Sequence, residues 1–517
     1  MNRRGFLTNA GAAAAAAGFP WSAWAQESEP PLEHRLPATD ADYQRSKNYV
    51  EEIPIHQYHW ASDAAVEDFK DIKFGLRIHW GIYSNFGRPN ESWPFLTLPL
   101  DQRQTYNETY KTWSPTQFDA DAWMSLCEES GLKMFAFTSK HHEGFSMFDT
   151  RTRVRSRANW TAPGGPKIED CDLAYSIMET PFKRDVVREL TAAAHKRNIK
   201  IDLYFSHPDW YDADFRPYGW HPLQVPSSPK LWGWQGTDDD FWQQMKRRVA
   251  NQLVVVPDPT PEQVKRMVGR HRTQLTELLT KYGKIDMMCL DIFWGPTVWK
   301  EMRETILMVR KLQPNVMLRA RGIGNYGDYY TPEGFVPASK ESTRMPWFVI
   351  YPLGSSFSYE KNPARYKGTK WIVDNLVDTA AKGGNFMVGV GPDGEGAFHP
   401  VAIEQLKQTG KWLKVNGEGI YATRSREGPL WSEGSNLRFT RSKDNRVVYA
   451  FALNWPGKTL EIKSLESAKV SSIKMLGYSN PLEYKVDPGR GLVIEVPDQF
   501  QNPANRPCDH AWAFRIS

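Results

Sequence analysis

The chain runs to 517 residues, 40% of them apolar, so it can bury a large core; two domains are expected and general disorder is excluded. Its 65 basic and 60 acidic side chains leave a net charge of +5, too weak a field to grip nucleic acid, and no nucleic-acid-binding motif accompanies it. The 21 tryptophans, 21 tyrosines and 25 phenylalanines supply rings for a core and for stacking on the apolar faces of sugars.

Residues 1–25 read as a targeting segment: Arg3 and Arg4, then Gly5-Phe6-Leu7, an Ala-rich stretch, and Ala23-Trp24-Ala25 as a small-residue cleavage site. The segment resembles a twin-arginine export signal, which carries folded proteins across a bacterial inner membrane. A mature chain is therefore expected to begin near Gln26 and to work in the periplasm or outside the cell. No other segment reaches the roughly 18 to 20 apolar residues that span a bilayer, so no membrane association is expected after export. Cys127, Cys171, Cys289 and Cys508 show neither framework nor CxxC spacing, which points to free, mostly buried thiols and no structural metal site.

Residues 26–48 are polar and Pro-rich, as in a linker or N-terminal arm. From residue 49 apolar β-type runs alternate with amphipathic helices: KFGLRIHWG (73–81), a helix over 120–130, KMFAFTSKHH (133–142), a helix over 184–197, IKIDLYFSHPDW (199–210), a helix over 261–282, IDMMCLDIFW (285–294), a helix over 297–312, and NVMLRARG (315–322). This alternation predicts parallel strands with crossover helices, and its length favours a closed barrel over 49–424. GVGPDGEG (389–396) lacks the lysine of a phosphate loop and reads as a tight turn; no other nucleotide motif appears. Residues 219–240, rich in Trp, Pro and Ser, are too long for an ordinary barrel loop and are expected to help roof a site. After residue 424 the pattern changes to period-two alternation, in LRFTRSKDNRVVYAFAL (437–453), TLEIKSL and GLVIEVP. The expected fold class is α/β, a (β/α)8-like barrel followed by a C-terminal antiparallel β-sandwich over 425–517.

Three apolar runs end in groups that carry chemistry. FTSKHHEGF (137–145) ends in His141, His142 and Glu143; the first run ends in His79 and Trp80; and Asp291 follows a run too apolar for an exposed carboxylate. The C-terminal tips of parallel strands are where barrel enzymes keep their chemistry, and an ionised carboxylate there needs a partner or a task. Neighbours on a strand point to opposite faces, so one of His141 and His142 is expected to serve packing. RTRVRSR (151–157) is the one basic cluster, read as a solvated loop or as a grip for an anionic glycan.

The ordered motifs KFGLRIHWG, TSKHHEGF, KRDVVRELTAAAHKRNIKIDLYFS, QLTELLTKYGKIDMMCLD, GDYYTPE, AKGGNFMVGVGPDGEG and WLKVNGEGIYATR, spread over 68–424, resemble the alpha-L-fucosidases of glycoside hydrolase family 29. The resemblance implies a barrel followed by a β-sandwich. It also implies exo-acting, retaining hydrolysis of terminal alpha-linked L-fucose from fucosylated oligosaccharides or polysaccharides, through a covalent fucosyl-enzyme intermediate and without cofactor or metal. Asp291 matches the nucleophile. Glu333, in TPEGF, is taken as the acid/base, its pKa expected to be raised by apolar walls or by Asp291, with Glu341 and Glu360 as fallbacks.

By the same resemblance His79, His141 and His142 bond fucose hydroxyls, Trp80 buttresses His79 or forms pocket wall, and Trp294 offers the sugar's C5 methyl an apolar face. Glu91 and Trp93 stand where the family often has an adjacent Glu-Trp pair, here separated by Ser92. Tyr204 and Arg321 are expected near the nucleophile, the arginine keeping Asp291 ionised. Three positions depart from the pattern: Cys289 replaces an aromatic two residues before the nucleophile, Glu143 makes HHEG of HHDG, and Phe348 follows Pro346-Trp347 where many members have Glu. These departures leave L-galactose or a sulfated fucoside as alternative sugars. A metal-dependent barrel hydrolase ligated by His79, His141, His142 and Asp291, and a non-catalytic glycan-binding protein, are the competing classes.

Overall fold

The computed structural model describes residues 34–38, 46–47, 49–216, 221–223, 259–291, 298–337, 344–465 and 469–517. The targeting segment, Trp294, Glu341 and all of 219–240 except 221–223 lie outside these residues.

The apolar runs become parallel strands buried on both faces, because helices cover the outside and side chains fill the inside. They are β1 (Phe74–Ile78), β2 (Met134–Lys140), β5 (Lys200–Ser206), β6 (Met287–Asp291), β7 (Met317–Leu318), β8 (Phe348–Pro352) and β9 (Asn385–Val390), in the order β7-β6-β5-β2-β1-β9-β8. A separate antiparallel hairpin, β3 (Val154–Asn159) and β4 (Lys167–Leu173), stands between β2 and β5 in the chain. The intervening helices start where a side chain caps free backbone N–H groups. Asp119 accepts from Ala122 N at 3.0 Å ahead of the helix Ala120–Glu129, and Asp185 does the same for Arg188 N ahead of Val186–Lys196. Thr260 and Gln263 form a reciprocal capping box on Pro261–Lys281.

The two ends of this sheet, β7 and β8, are joined by the extended segment 328–333. Ala320 N donates to Tyr329 O at 2.8 Å on one side, while Phe348 N and Ile350 N donate to Tyr330 O and Pro332 O at 3.1 Å on the other. All of these bridges are parallel, so the segment takes the eighth position of the barrel. Only a short 3-10 turn, Gly324–Tyr326, separates it from β7, where the expected pattern would have placed a helix.

Inside the barrel the alternating side chains lie in layers. Met134, Met287, Met317, Phe348 and Met387 pack with Phe69 and Tyr329 at the N-terminal end. Gly75 leaves room for this layer, since a Cβ there would meet Met134 Sδ at 2.3 Å. Two residues further along each strand stand Arg77, Asp202, Cys289 and Arg319, all buried. Two further still come His79, Tyr204 and Asp291. The layers thus pass from apolar to charged to chemically functional along the strand direction.

The C-terminal part consists of β10 (Arg424–Ser425), β11 (Ser432–Glu433), β12 (Leu437–Arg441), β13 (Val448–Ala452), β14 (Thr459–Ile462), β15 (Ile473–Met475), β16 (Tyr484–Asp487), β17 (Gly491–Glu495) and β18 (Trp512–Ile516). They form a six-stranded antiparallel sheet and a three-stranded one, β14-β17-β16. Phe439, Ala450 and Phe514 of the first meet Ile462, Leu492 and Ile494 of the second in one core. Contacts fasten this unit to the barrel: Thr440 Oγ1 donates to Gly419 O at 2.6 Å, and Arg438 Nε lies 2.5 Å from Asp378 Oδ1.

In the stretch read as a linker or arm, Leu36 is buried with its N–H 3.0 Å from Asn325 Oδ1, and His34 stacks on Trp60. The four cysteines are free, Cys127 and Cys289 buried and Cys171 and Cys508 half-buried. Among the described residues no helix is long and apolar enough to cross a membrane. The basic cluster is only partly the expected loop: Arg151 and Arg153 precede β3, while Arg155 and Arg157 lie on it; Arg153 and Arg155 pair with Asp172, and Arg157 pairs with Glu169 and Glu108. Strand alternation puts these arginines opposite acidic residues, so little free charge remains for an anionic glycan.

Candidate active site

A cavity of about 610 Å3 opens at the C-terminal ends of the strands, lined by His79, Glu91, Trp93, His141, His142, Tyr204, Asp291, Arg321 and Glu333 among others. Asp291 ends β6 at its floor. Its Oδ2 accepts a short hydrogen bond from Tyr204 Oη and lies 3.4 Å from His142 Nε2. Oδ1 carries no hydrogen bond among the described residues; Arg321 Nη1 lies 3.3 Å and Arg319 Nη1 4.0 Å away. Burial alone would raise this carboxyl's pKa, but the two guanidinium charges and the Tyr204 hydroxyl outweigh it and hold Asp291 ionised, well below the usual carboxylate range.

Glu333 ends the closing segment and is 39% exposed, at the mouth of the cavity. Its Oε1 accepts from Arg319 Nη2 at 2.8 Å and from Arg321 Nη1 at 2.9 Å. Desolvation raises this carboxyl, but the charges of Arg321 and Arg319 prevail and bring it down to about 2. This overturns the expectation of a raised pKa, which reckoned with apolar walls and Asp291 but not with two guanidinium groups on one oxygen. The fallback Glu360 is bound elsewhere, to the Ser355 hydroxyl and to Asn362 N at 2.9 Å, and does not line the cavity.

Both histidines of the pair face the cavity, contrary to the expectation that one would serve packing. β2 ends at Lys140, and the chain turns at once, with Gly144 N bonding His141 O at 3.0 Å and Gly144 at φ +87°. The strand rule therefore no longer governs their directions, and the two rings lie 4.3 Å apart. Ser92 Oγ lies 2.5 Å from His141 Nδ1. Both ring nitrogens of His79, and Nδ1 of His142, are buried without a hydrogen-bond partner among the described residues. Burial pushes both imidazoles well below their ordinary pKa, so each is neutral, with one donor and one acceptor to offer. Buried polar atoms of this kind call for a hydroxyl-bearing ligand.

Glu91 sits at φ +50°, with Ser358 Oγ donating to its Oε1 at 3.1 Å, and burial raises its carboxyl pKa. Trp93 packs edge-on to His142 at 4.8 Å and to Trp210 at 5.4 Å. Trp80 does not form pocket wall. As the neighbour of His79 on an extended chain it points the other way, stacks on Phe118, and donates its Nε1 to Asp393 O at 2.8 Å. Trp294 falls outside the described residues.

Four contributors went unnamed in the sequence reading. Arg77 lines the cavity, with its guanidinium 4.9 Å from the Tyr204 ring centroid, and Arg319 stands behind the two carboxylates. Strand parity carried a signal for both, since each lies two residues before a named site residue, His79 or Arg321. Phe357, whose ring is 5.3 Å from that of His79, and Ser358 come from a loop with no such period.

A family model described as alpha-L-fucosidase matches residues 44–418, and one described as the alpha-L-fucosidase C-terminal domain matches 432–517. The tissue alpha-L-fucosidase of Mus musculus is 27% identical over 474 residues, covering 87% of this chain and 91% of its own. The plasma alpha-L-fucosidase of Rattus norvegicus is 25% identical, over 87% and 90%. Among solved structures, alpha-L-fucosidase isoenzyme 1 of Paenibacillus thiaminolyticus has the same fold at a TM-score of 0.70, with 24% identity over 88% of this chain and 98% of that one. So does an alpha-L-fucosidase of Bacteroides thetaiotaomicron, a trapped covalent intermediate in complex with 2-fluoro-fucosyl fluoride, at a TM-score of 0.67 and 22% identity over 91% and 98%. With matching models over both its barrel and its C-terminal sheets, and curated relatives along most of its length, the chain belongs to the alpha-L-fucosidase family of glycoside hydrolases.

Proposed function

We propose that the protein is an exo-acting, retaining alpha-L-fucosidase in which Asp291 attacks the anomeric carbon and Glu333 serves as acid/base. One observation carries the assignment of the pair. Asp291 Oδ1 and Glu333 Oε1 lie 3.3 and 2.9 Å from the same Arg321 nitrogen. Their separation is therefore capped at about 6 Å, against the roughly 5 to 5.5 Å that retaining glycosidases need. Asp291 has the features of a nucleophile: it is ionised, one oxygen is fixed by Tyr204, and the other carries no hydrogen bond among the described residues. The trapped intermediate of the Bacteroides relative is in keeping with a fucosyl ester on this oxygen. The buried layer of Arg77, Asp202, Cys289 and Arg319, of which Arg77 reaches the cavity, closes its inner end and supports exo action, since a glycan chain can enter but not pass through.

With its carboxyl brought down to about 2, Glu333 must take up a proton from solvent before it can protonate the leaving oxygen. Once Asp291 is esterified, its negative charge no longer favours a proton on Glu333. Glu333 is then a carboxylate when water has to be activated, as the second half-reaction requires. The buried nitrogens of His79 and His142, with Glu91 and Trp93, hold the sugar's hydroxyls and ring. We propose in addition that the enzyme works after twin-arginine export, on the strength of Arg3 and Arg4 and the cleavage site at Ala23-Trp24-Ala25.

Azide products test the pair. Asp291→Gly should be nearly inactive on fucosides and regain turnover with azide as the β-fucosyl azide, by a single inversion. Glu333→Ala should spare aryl fucosides with good leaving groups in the first step and give the α-fucosyl azide, by double inversion. Identical azide anomers from both variants, or undiminished hydrolysis of unactivated linkages by Glu333→Ala, would remove these roles.

A further inference from the structure

We propose that Arg319 is a positioning residue which, seated on the thiol of Cys289, keeps the Glu333 carboxylate docked over Asp291 and supplies its fixed positive neighbour throughout the reaction cycle. The inference rests on the reading of Glu333 as the acid/base.

The two arginines that hold Glu333 are not equivalent. Arg321 is 23% exposed and lines the cavity, so a bound sugar can touch it and compete for its hydrogen bonds. Arg319 is 1% exposed, lies behind the wall, and stays out of a sugar's reach. Its Nη2 donates to Glu333 Oε1 at 2.8 Å while its Nη1 donates to Cys289 Sγ at 3.2 Å. One planar guanidinium thus ties the residue two positions before the nucleophile to the acid/base, and its geometry fixes the distance between them. Cys289 is small enough to leave the fork its place; an aromatic ring at 289 would fill that space. Burial raises the Cys289 thiol pKa, so the seat is a neutral SH that adds no competing charge.

The surrounding charges make Arg319 a lasting partner for Glu333. Facing Glu333 are Asp291 on β6, Arg319 and Arg321 just after β7, and Glu91 from the loop after β1. Below Arg319 stands Asp202 on β5, shared with Arg77 on β1; burial raises its carboxyl to about 6 against the pull of both arginines. Removing Arg319 takes positive charge from both active-site carboxylates, so both bind protons more readily. The decline of kcat/KM with rising pH, set by Glu333, must then move to higher pH.

The test compares pH profiles of kcat/KM on an unactivated fucoside for wild type, Arg319→Met, Arg319→Lys and Glu333→Ala, each checked by thermal unfolding. Arg319→Met is expected to shift this alkaline decline upward by about one pH unit or more. Arg319→Lys keeps the charge but loses the fork; it should shift the decline less while lowering kcat by about tenfold with little change in KM. Equal loss at every pH with an unmoved decline marks Arg319 as merely structural and overturns the proposal. If Arg319→Met fails to fold, the lysine variant decides alone, and an unchanged kcat overturns it. An alkaline limb that survives Glu333→Ala overturns the acid/base assignment and this proposal with it. A limb that vanishes in Glu333→Ala but stays put in Arg319→Met overturns this proposal alone.

Discussion

The Ser92 hydroxyl lies 2.5 Å from Nδ1 of His141, so the residue that separates Glu91 from Trp93 fixes a pocket imidazole. The bond determines which face and which nitrogen His141 turns to the cavity. Ser92→Ala leaves that nitrogen unpaired in a buried place and should cost about 1 to 3 kcal/mol of transition-state stabilisation. Steady-state kinetics would show it as a fall in kcat/KM; equal values for variant and wild type would make the contact incidental.

The state of Glu333 sets a pH dependence. Its carboxyl, held at about 2 by Arg321 and Arg319, must be protonated for the first step. Above that pH the protonated fraction of free enzyme falls about tenfold per unit, so kcat/KM for poor leaving groups should decline steadily from mildly acid to neutral pH. Aryl fucosides with good leaving groups need no such proton and should show a flatter profile. A plateau up to neutral pH with natural linkages would mean that the free enzyme already carries the proton.

Asp209 anchors the turn that bears the histidine pair. It lies 2.5 Å from Arg270 Nη1 and 3.6 Å from Lys140 Nζ, all three buried, and a Cβ on Gly144 would come within 2.1 Å of its Oδ1. Next to it, Trp210 N donates to His142 O at 2.8 Å. Asp209→Asn leaves two buried cations with Asp212 as their remaining carboxylate and should destabilise the fold by about 3 to 5 kcal/mol. Denaturant unfolding measures this, and a loss under about 1 kcal/mol would show the network to be well hydrated.

For export, changing Arg3 and Arg4 to lysine should strand active enzyme in the cytoplasm, as expected for a route that moves folded protein. Cell fractionation with an aryl fucoside assay reads the outcome, and normal periplasmic activity in that variant counts against a twin-arginine route.

Much of the site was legible because strand tips concentrate it. His79, Tyr204 and Asp291 share a parity with Arg77, Asp202 and Cys289 below them, and parity also shows that Trp80 must face away. The same rule misled at His141 and His142, where the strand had already ended. Glu333 was placed from its motif, but its ionisation depends on Arg319, fourteen residues earlier, which only the folded geometry brings to the same oxygen. The contribution of Phe357 was not legible at all, since its loop has no period to read. In the barrel, the missing crossover helix before 328–333 left no amphipathic signal, so the eighth position could be counted on but not located.

That eighth position makes the barrel's seam and its acid/base one piece of chain. The backbone bonds that seal β7 to β8 through 328–333 are the ones that deliver Glu333 to the pocket, and the arginines that receive it follow directly on the strand being sealed. A refolding chain with the seam still open already has Asp291 on β6 but has nothing to protonate a leaving group. Recovery of activity on unactivated fucosides therefore requires a closed seam, whatever the order in which the rest of the barrel forms.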